Sequence, residues 1–207
     1  LMQLRNAIWD FDGTLADTYD VILASLQATL QHFNYDAGDR QELYRFIKLH
    51  SVKAYFQKVT PPASFAQIFQ YHQQLDHQSQ NQVQLLPGAT TVLREIIQKG
   101  GHNYLWTHRD DLVLEILERQ HIRQYFTAVI SSQQHFERKP SPQALNYLVQ
   151  TYNLKPDVSA MIGDRALDIQ AGKNAGLQTI YYDVDNFHDS NGADQIVTQL
   201  PQIINFF

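Results

Sequence analysis

The chain has 207 residues, 43% of them hydrophobic, enough to bury one sizeable core or one core with a modest helper domain. A net charge of -5 and a pI near 5.9 give no basic field for a polyanion such as DNA, so no nucleic acid partner is expected, whereas a small phosphorylated molecule needs only a local positive site. There is no cysteine, which excludes disulfides and thiolate metal sites and makes the cytoplasm the expected compartment; no leader pattern and no run near the roughly 18 apolar residues of a membrane helix is seen, so no membrane partner is expected.

In chain order, residues 7–11 read as a short buried strand running into "IWDFDGTLADT", residues 8–18. Residues 18–82 then lack β-branched runs, and their apolar residues recur every three or four positions. Tyr19, Ile22, Leu23, Leu26, Leu30 and Phe33 form one stripe, Leu43, Phe46 and Ile47 begin another, and Tyr55, Phe56, Val59, Phe65, Ile68, Phe69 and His72 continue the set, which predicts a small helical bundle. The glutamine-rich stretch 78–84 reads as a solvated helix end and linker. From residue 85 the pattern changes to strands at 102–106, 128–131, 159–162 and 179–182, alternating with helices at 89–98, 110–119, 142–152 and 166–175. That alternation is the signature of parallel βαβ units. Ser141 before Pro142 signals one helix start, and Gly176 suits the left-handed residue closing the helix before it. The expected fold is therefore α/β, a Rossmann-like doubly wound parallel sheet made of residues 1–16 and 84–207, with residues 17–83 as an inserted helical domain.

Polar residues cluster at the ends of the predicted strands, the edge where open α/β sheets gather their ligand loops. Strand alternation would put Asp10 and Asp12 on one side, although acids also end strands as turn formers and Asp12-Gly13 is a good turn dipeptide. In "YLWTHRDD", Thr107 precedes a helix with Asp110 and Asp111 in its first turn; its hydroxyl can face an anion or simply cap the helix. Lys139 in "ERKPSP" is either a surface lysine or a site lysine. In "MIGDRALD", Asp164 and Asp168 are four apart, a spacing that repels on a helix unless a cation bridges the pair.

Taken together, "DFDGTL", "WTH", "RKP" and "GDRALD" appear in the order and spacing of the four motifs of the haloacid dehalogenase superfamily, which the whole chain resembles. The resemblance covers the helical insert too, which looks like that superfamily's type 1 cap, and it points to a phosphatase resembling the phosphoglycolate phosphatase group. It implies a magnesium-dependent phosphatase of a small phosphorylated metabolite, acting as a monomer or weak homodimer. By this resemblance Asp10 is the nucleophile that forms an aspartyl-phosphate, and Asp12 is the acid and base. Gly13 lets the backbone turn past the metal, Thr107 holds a phosphoryl oxygen, and Lys139 bridges nucleophile and phosphate. The Asp10 carboxylate, the Asp12 backbone carbonyl and Asp164 would hold Mg2+, with Asp168 beside it, directly or through water.

A charge count agrees with a metal requirement. Asp10, Asp164 and Asp168 against Lys139 leave two excess negatives, and a phosphate monoester adds roughly another 1.5 to 2. At an effective dielectric of about 20 each unit pair near 4 Å is worth about 4 kcal/mol, so without a cation the site repels its substrate.

His108 stands where the resemblance expects asparagine, and it and Arg109 either reach the substrate or face solvent. Lys48 and His50 in "IKLHS" are candidate substrate contacts, with an exposed lysine and a Ser51 helix cap as the plainer alternatives. Two other readings stay open. A sugar phosphomutase of the β-phosphoglucomutase kind typically has a histidine about twelve residues after the nucleophile, where this chain has Ile22; a catalytically silent binding protein would have lost motif side chains that are all present here.

Overall fold

The computed structural model describes residues 3–207. In chain order the elements are β1 Asn6–Trp9, β2 Ala16–Asp17, α1 Tyr19–His32, α2 Arg40–Leu49, α3 Val52–Val59, α4 Pro62–Gln78, β3 Gln84–Leu85, α5 Ala89–Gln98, β4 His102–Trp106, α6 Leu112–Arg119, β5 Phe126–Ile130, α7 Gln143–Thr151, β6 Ser159–Gly163, α8 Ala166–Asn174, β7 Gln178–Tyr182 and β8 Gln195–Val197. They form two compact units. One runs up to Asp17 and resumes with Gln84–Phe207; the other is Thr18–Val83.

The first unit is built on a six-stranded sheet in the order β5-β4-β1-β6-β7-β8, parallel throughout. Counted along the chain this is the doubly wound order 3-2-1-4-5-6, whose direction reverses between β1 and β6. As the central strand, β1 must be apolar on both faces, and Ala7, Ile8 and Trp9 are fully buried. Ile8, Trp106, Ile130, Leu145, Leu148 and Met161 meet in one core cluster that packs α7 against the sheet. Burying a side chain of this size contributes about 1.5–3 kcal/mol. Within this unit β2 and β3 pair as a short antiparallel ladder, Ala16 with Leu85 and Asp17 with Gln84.

Three local readings change. Strand β8 escapes the sequence pattern because it is three residues long, lies at the sheet edge and leaves Ile196 exposed. Helix α6 starts at Leu112, so Asp110 and Asp111 precede it instead of filling its first turn. Asp110 accepts the Leu112 N–H at 3.1 Å, and Asp111 accepts the Ser131 hydroxyl at 2.5 Å. Pro142 occupies the cap position of α7, one residue before its expected place, while Ser141 Oγ still accepts the Gln143 N–H at 3.3 Å. Gly176 is left-handed, φ 72°, as α8 requires at its end.

The second unit consists of α1–α4 around Leu23, Leu26, Leu30, Leu43, Ile47, Phe56 and Ile68. The apolar stripes of the sequence thus become its core. Asp39 caps α2 by accepting the Gln41 and Glu42 N–H groups at 2.9 and 3.0 Å. Ser51 caps α3 through the Ala54 N–H at 3.0 Å. Lys48 is buried, its Nζ 4.8 Å from the Tyr19 ring centre and 5.9 Å from that of Tyr44, so the exposed-lysine alternative does not hold. His50 closes α2 with its ring 4.6 Å from that of Phe46.

Candidate active site

The carboxyl ends of β1, β4 and β6 bring the motif residues together at the point where the strand order reverses. Asp10 follows β1 and prolongs its pairing by one step, its N–H reaching Ile162 O at 2.9 Å. The chain then turns sharply. Phe11 O accepts the N–H groups of Thr14, Leu15 and Ala16, and Gly13, at φ 77°, donates to Ala16 O. A side chain at that backbone angle would be strained, which explains the glycine.

Lys139 is brought to Asp10 by the loop after β5, across 129 positions. Its ammonium lies 2.5 Å from Asp10 Oδ1, 2.8 Å from Asp168 Oδ1 and 3.2 Å from Trp106 O. Although burial works to lower its pKa, the charges of Asp10 and Asp168 outweigh that and raise it, so the ammonium stays charged. The peptide bond Lys139–Pro140 is cis.

Asp164 and Asp168 meet by a route the helical spacing did not anticipate. Helix α8 begins at Ala166, so Asp164 lies outside it. Asp168 instead folds back over the turn, Oδ2 accepting the Arg165 N–H at 3.1 Å. Its side chain lies against Gly163, where any Cβ would overlap it. One oxygen from each of Asp10, Asp164 and Asp168 lies within 4.8 Å of the other two, and all three residues are buried.

The triad fits a metal ion on two grounds. Three carboxylates against one ammonium leave an excess of negative charge in a buried, all-oxygen donor set, the preference of a hard divalent cation. Asp168 Oδ1 also has the Lys139 charge beside it but no aligned hydrogen-bond donor. Burial first, then the charge of Asp168, push the Asp10 carboxyl well above the usual carboxylate range, against the opposing pull of Lys139. A cation at the triad reverses that balance, because a nearby positive charge favours the ionised form.

Thr107 is buried at the end of β4, its N–H on Ile130 O and its Oγ1 accepting the Arg109 N–H at 3.1 Å. The hydroxyl hydrogen is left to donate to an anion. His108 does not turn to solvent. Its Nε2 accepts the Lys139 N–H at 3.2 Å, and burial, then Lys139, Arg138 and Arg165, lower its pKa to about 2. It is a neutral imidazole that ties the β4 loop to the lysine loop.

One participant was not singled out by its sequence position. Thr14 Oγ1 donates to Asp164 Oδ1 at 2.8 Å and lies 3.4 Å from Asp10 Oδ2, joining residues 150 positions apart; its place in "DFDGTL" was the available signal. Arg109, which read as a substrate contact or a solvent-facing residue, takes Asp12, Nε at 2.8 and 3.0 Å from the two carboxylate oxygens and Nη2 at 2.7 Å from Oδ1. Thus Asp10 and Asp12 have opposite surroundings. The first is enclosed with Lys139 and the triad, and the second is forked by a guanidinium.

A family model described as haloacid dehalogenase-like hydrolase matches residues 7–182. The chain belongs to the haloacid dehalogenase-like hydrolases. This hydrolase is 28% identical over 187 residues to the phosphoglycolate phosphatase of Vibrio parahaemolyticus, covering 84% of this chain and 81% of that one. It is 25% identical over 183 residues to the pyrophosphatase PpaX of Bacillus mycoides, with 86% and 83% covered. A solved hydrolase structure from Streptococcus pneumoniae TIGR4 aligns at 34% identity and a TM-score of 0.64, covering 86% of this chain and 92% of that one. Among the described residues no helix is long and apolar enough to cross a membrane.

Proposed function

We propose that this hydrolase is a magnesium-dependent phosphatase of a small phosphorylated metabolite, with Thr18–Val83 as its cap domain. The observation that carries the reading is the buried meeting of Asp10, Lys139, Asp164 and Asp168, four side chains spread over most of the chain. The phosphatase names of the relatives support it.

In this reading Asp10 attacks phosphorus, forming an aspartyl-phosphate as the bond to the leaving oxygen breaks. Asp12 gives that oxygen its proton and then takes one from the water that hydrolyses the intermediate. Lys139 holds Asp10 in line and offsets phosphoryl charge, His108 sets the lysine backbone, and the Thr107 hydroxyl donates to a phosphoryl oxygen. Asp10, Asp164, Asp168 and the Asp12 carbonyl would hold Mg2+, which would supply Lewis-acid polarisation of the phosphoryl group. Thr14 keeps Asp164 turned toward Asp10.

The test is phosphate release from p-nitrophenyl phosphate with and without magnesium. The wild type should require the ion, and Asp10→Asn should lose at least about a thousandfold in kcat/KM. Undiminished turnover in that variant rejects the nucleophile, and no turnover of any phosphate ester by the wild type rejects the phosphatase reading.

A further inference from the structure

The Arg109–Asp12 pair raises a question of geometry. Both oxygens of Asp12 are engaged by the guanidinium, so the fork competes with a leaving oxygen for the carboxylate. The Arg109 backbone is anchored at both ends, its N–H on Thr107 Oγ1 and its carbonyl accepting the Ser132 N–H at 2.8 Å. Exchange must therefore come from the side chain alone, which rests with its guanidinium carbon 5.9 Å from the Phe11 ring centre.

A guanidinium taken off a carboxylate gives up a charge-assisted bidentate contact, which another anion can restore. Its fork matches phosphate and carboxylate equally well. The phosphoryl group in transfer already has Lys139 and Thr107 to answer its charge, and Asp12 stands on the leaving-group side. This last step rests on the phosphatase reading above. We infer that Arg109 is a specificity-determining arm that passes from Asp12 to a second anionic group carried by the leaving group, so that substrates with such a group release Asp12 for catalysis. A neutral leaving group offers the guanidinium nothing in exchange, so Asp12 is released more rarely and turnover is slower, least so for an ester such as p-nitrophenyl phosphate whose leaving oxygen departs without a proton. The second anion is a phosphate or a carboxylate.

Binding of three non-hydrolysable probes tests this without turnover: methylphosphonate, with one anionic group; methylenediphosphonate, with a second phosphoryl group; and phosphonoacetate, with a carboxylate. Titration calorimetry in magnesium would compare wild type, Arg109→Met and Arg109→Lys. The wild type should bind at least one two-anion probe about tenfold or more tighter than methylphosphonate, and Arg109→Met should reduce that preference below about threefold while leaving methylphosphonate within about threefold of wild type. Arg109→Lys should keep part of the preference, and it carries the test if the methionine variant does not fold. Whichever two-anion probe gains more identifies the second group. A preference that survives in Arg109→Met, an equal loss for all three probes, or equal wild-type affinities would each overturn the proposal. Because the probes are not turned over, absence of phosphatase activity sinks the earlier reading separately.

Discussion

The two units bury polar groups in contrasting ways. In the α/β unit Lys139, 7% exposed, is enclosed with Asp10 and Asp168, two carboxylates supplied by other parts of the chain. In the helical unit His72, 5% exposed, lies with its ring 5.1 Å from that of Phe56 and 6.1 Å from that of Phe69, and its Nδ1 has no hydrogen-bond partner. Burial lowers its pKa to about 4, a Ser25 backbone hydrogen bond only partly opposing. The lysine stays charged because carboxylates face it; the histidine stays neutral because burial deprives it of water. The first therefore answers to ions and the second to protons.

Removing one partner tests the first half of that contrast most severely. Lys139→Met leaves buried carboxylates without their counter-charge and should cost about 3 kcal/mol or more in a metal-free thermal melt. Added magnesium should then raise the melting temperature of the variant more than that of wild type, because the cation takes over the lost charge. Equal magnesium shifts in the two proteins would argue that the triad does not hold the ion.

The second half predicts an acid response. The His72 pKa falls from 6.5 in the unfolded chain to about 4 in the folded one, so between these values the unfolded state binds the extra proton. Stability is lost as pH falls through that window, by about 3 kcal/mol from this group, and its contribution levels off below about pH 4. His72→Met should remove this part of the slope, read by far-ultraviolet circular dichroism melts at pH 7 and pH 4. An unchanged slope would mean that the ring is hydrated.

The smallest effect comes from a surface contact that belongs to neither strategy. Asp39→Ala removes the acceptor for two N–H groups at the start of α2 and should cost about 1 kcal/mol by denaturant titration, with the same loss in the presence and absence of magnesium.

Local regularities were legible wherever a short pattern carries its own physics. Helix α5 spans the same residues in the structure as in the periodicity, because Ala89, Val92, Leu93 and Ile96 form an uninterrupted buried stripe. Strand β4 likewise has the expected bounds. The acids and the lysine were visible as strand-end clusters. Less visible was how they would meet. Asp164 and Asp168 converge across the bend that joins β6 to α8, not along a helical face, and the two acids of the first motif part company, Asp10 to Lys139 and Asp12 to Arg109. His108 read as a substrate or solvent residue, and its Nε2 accepts the Lys139 backbone N–H instead of facing solvent.

By itself the sequence determined the α/β class, the helical insertion and the residues able to carry the chemistry, because hydrophobic period and strand-end chemistry are encoded within a few neighbouring positions. Only the tertiary structure decided which charges neutralise which. Pairing across 97 or 129 positions depends on the order of strands in the sheet, and no local pattern contains that order.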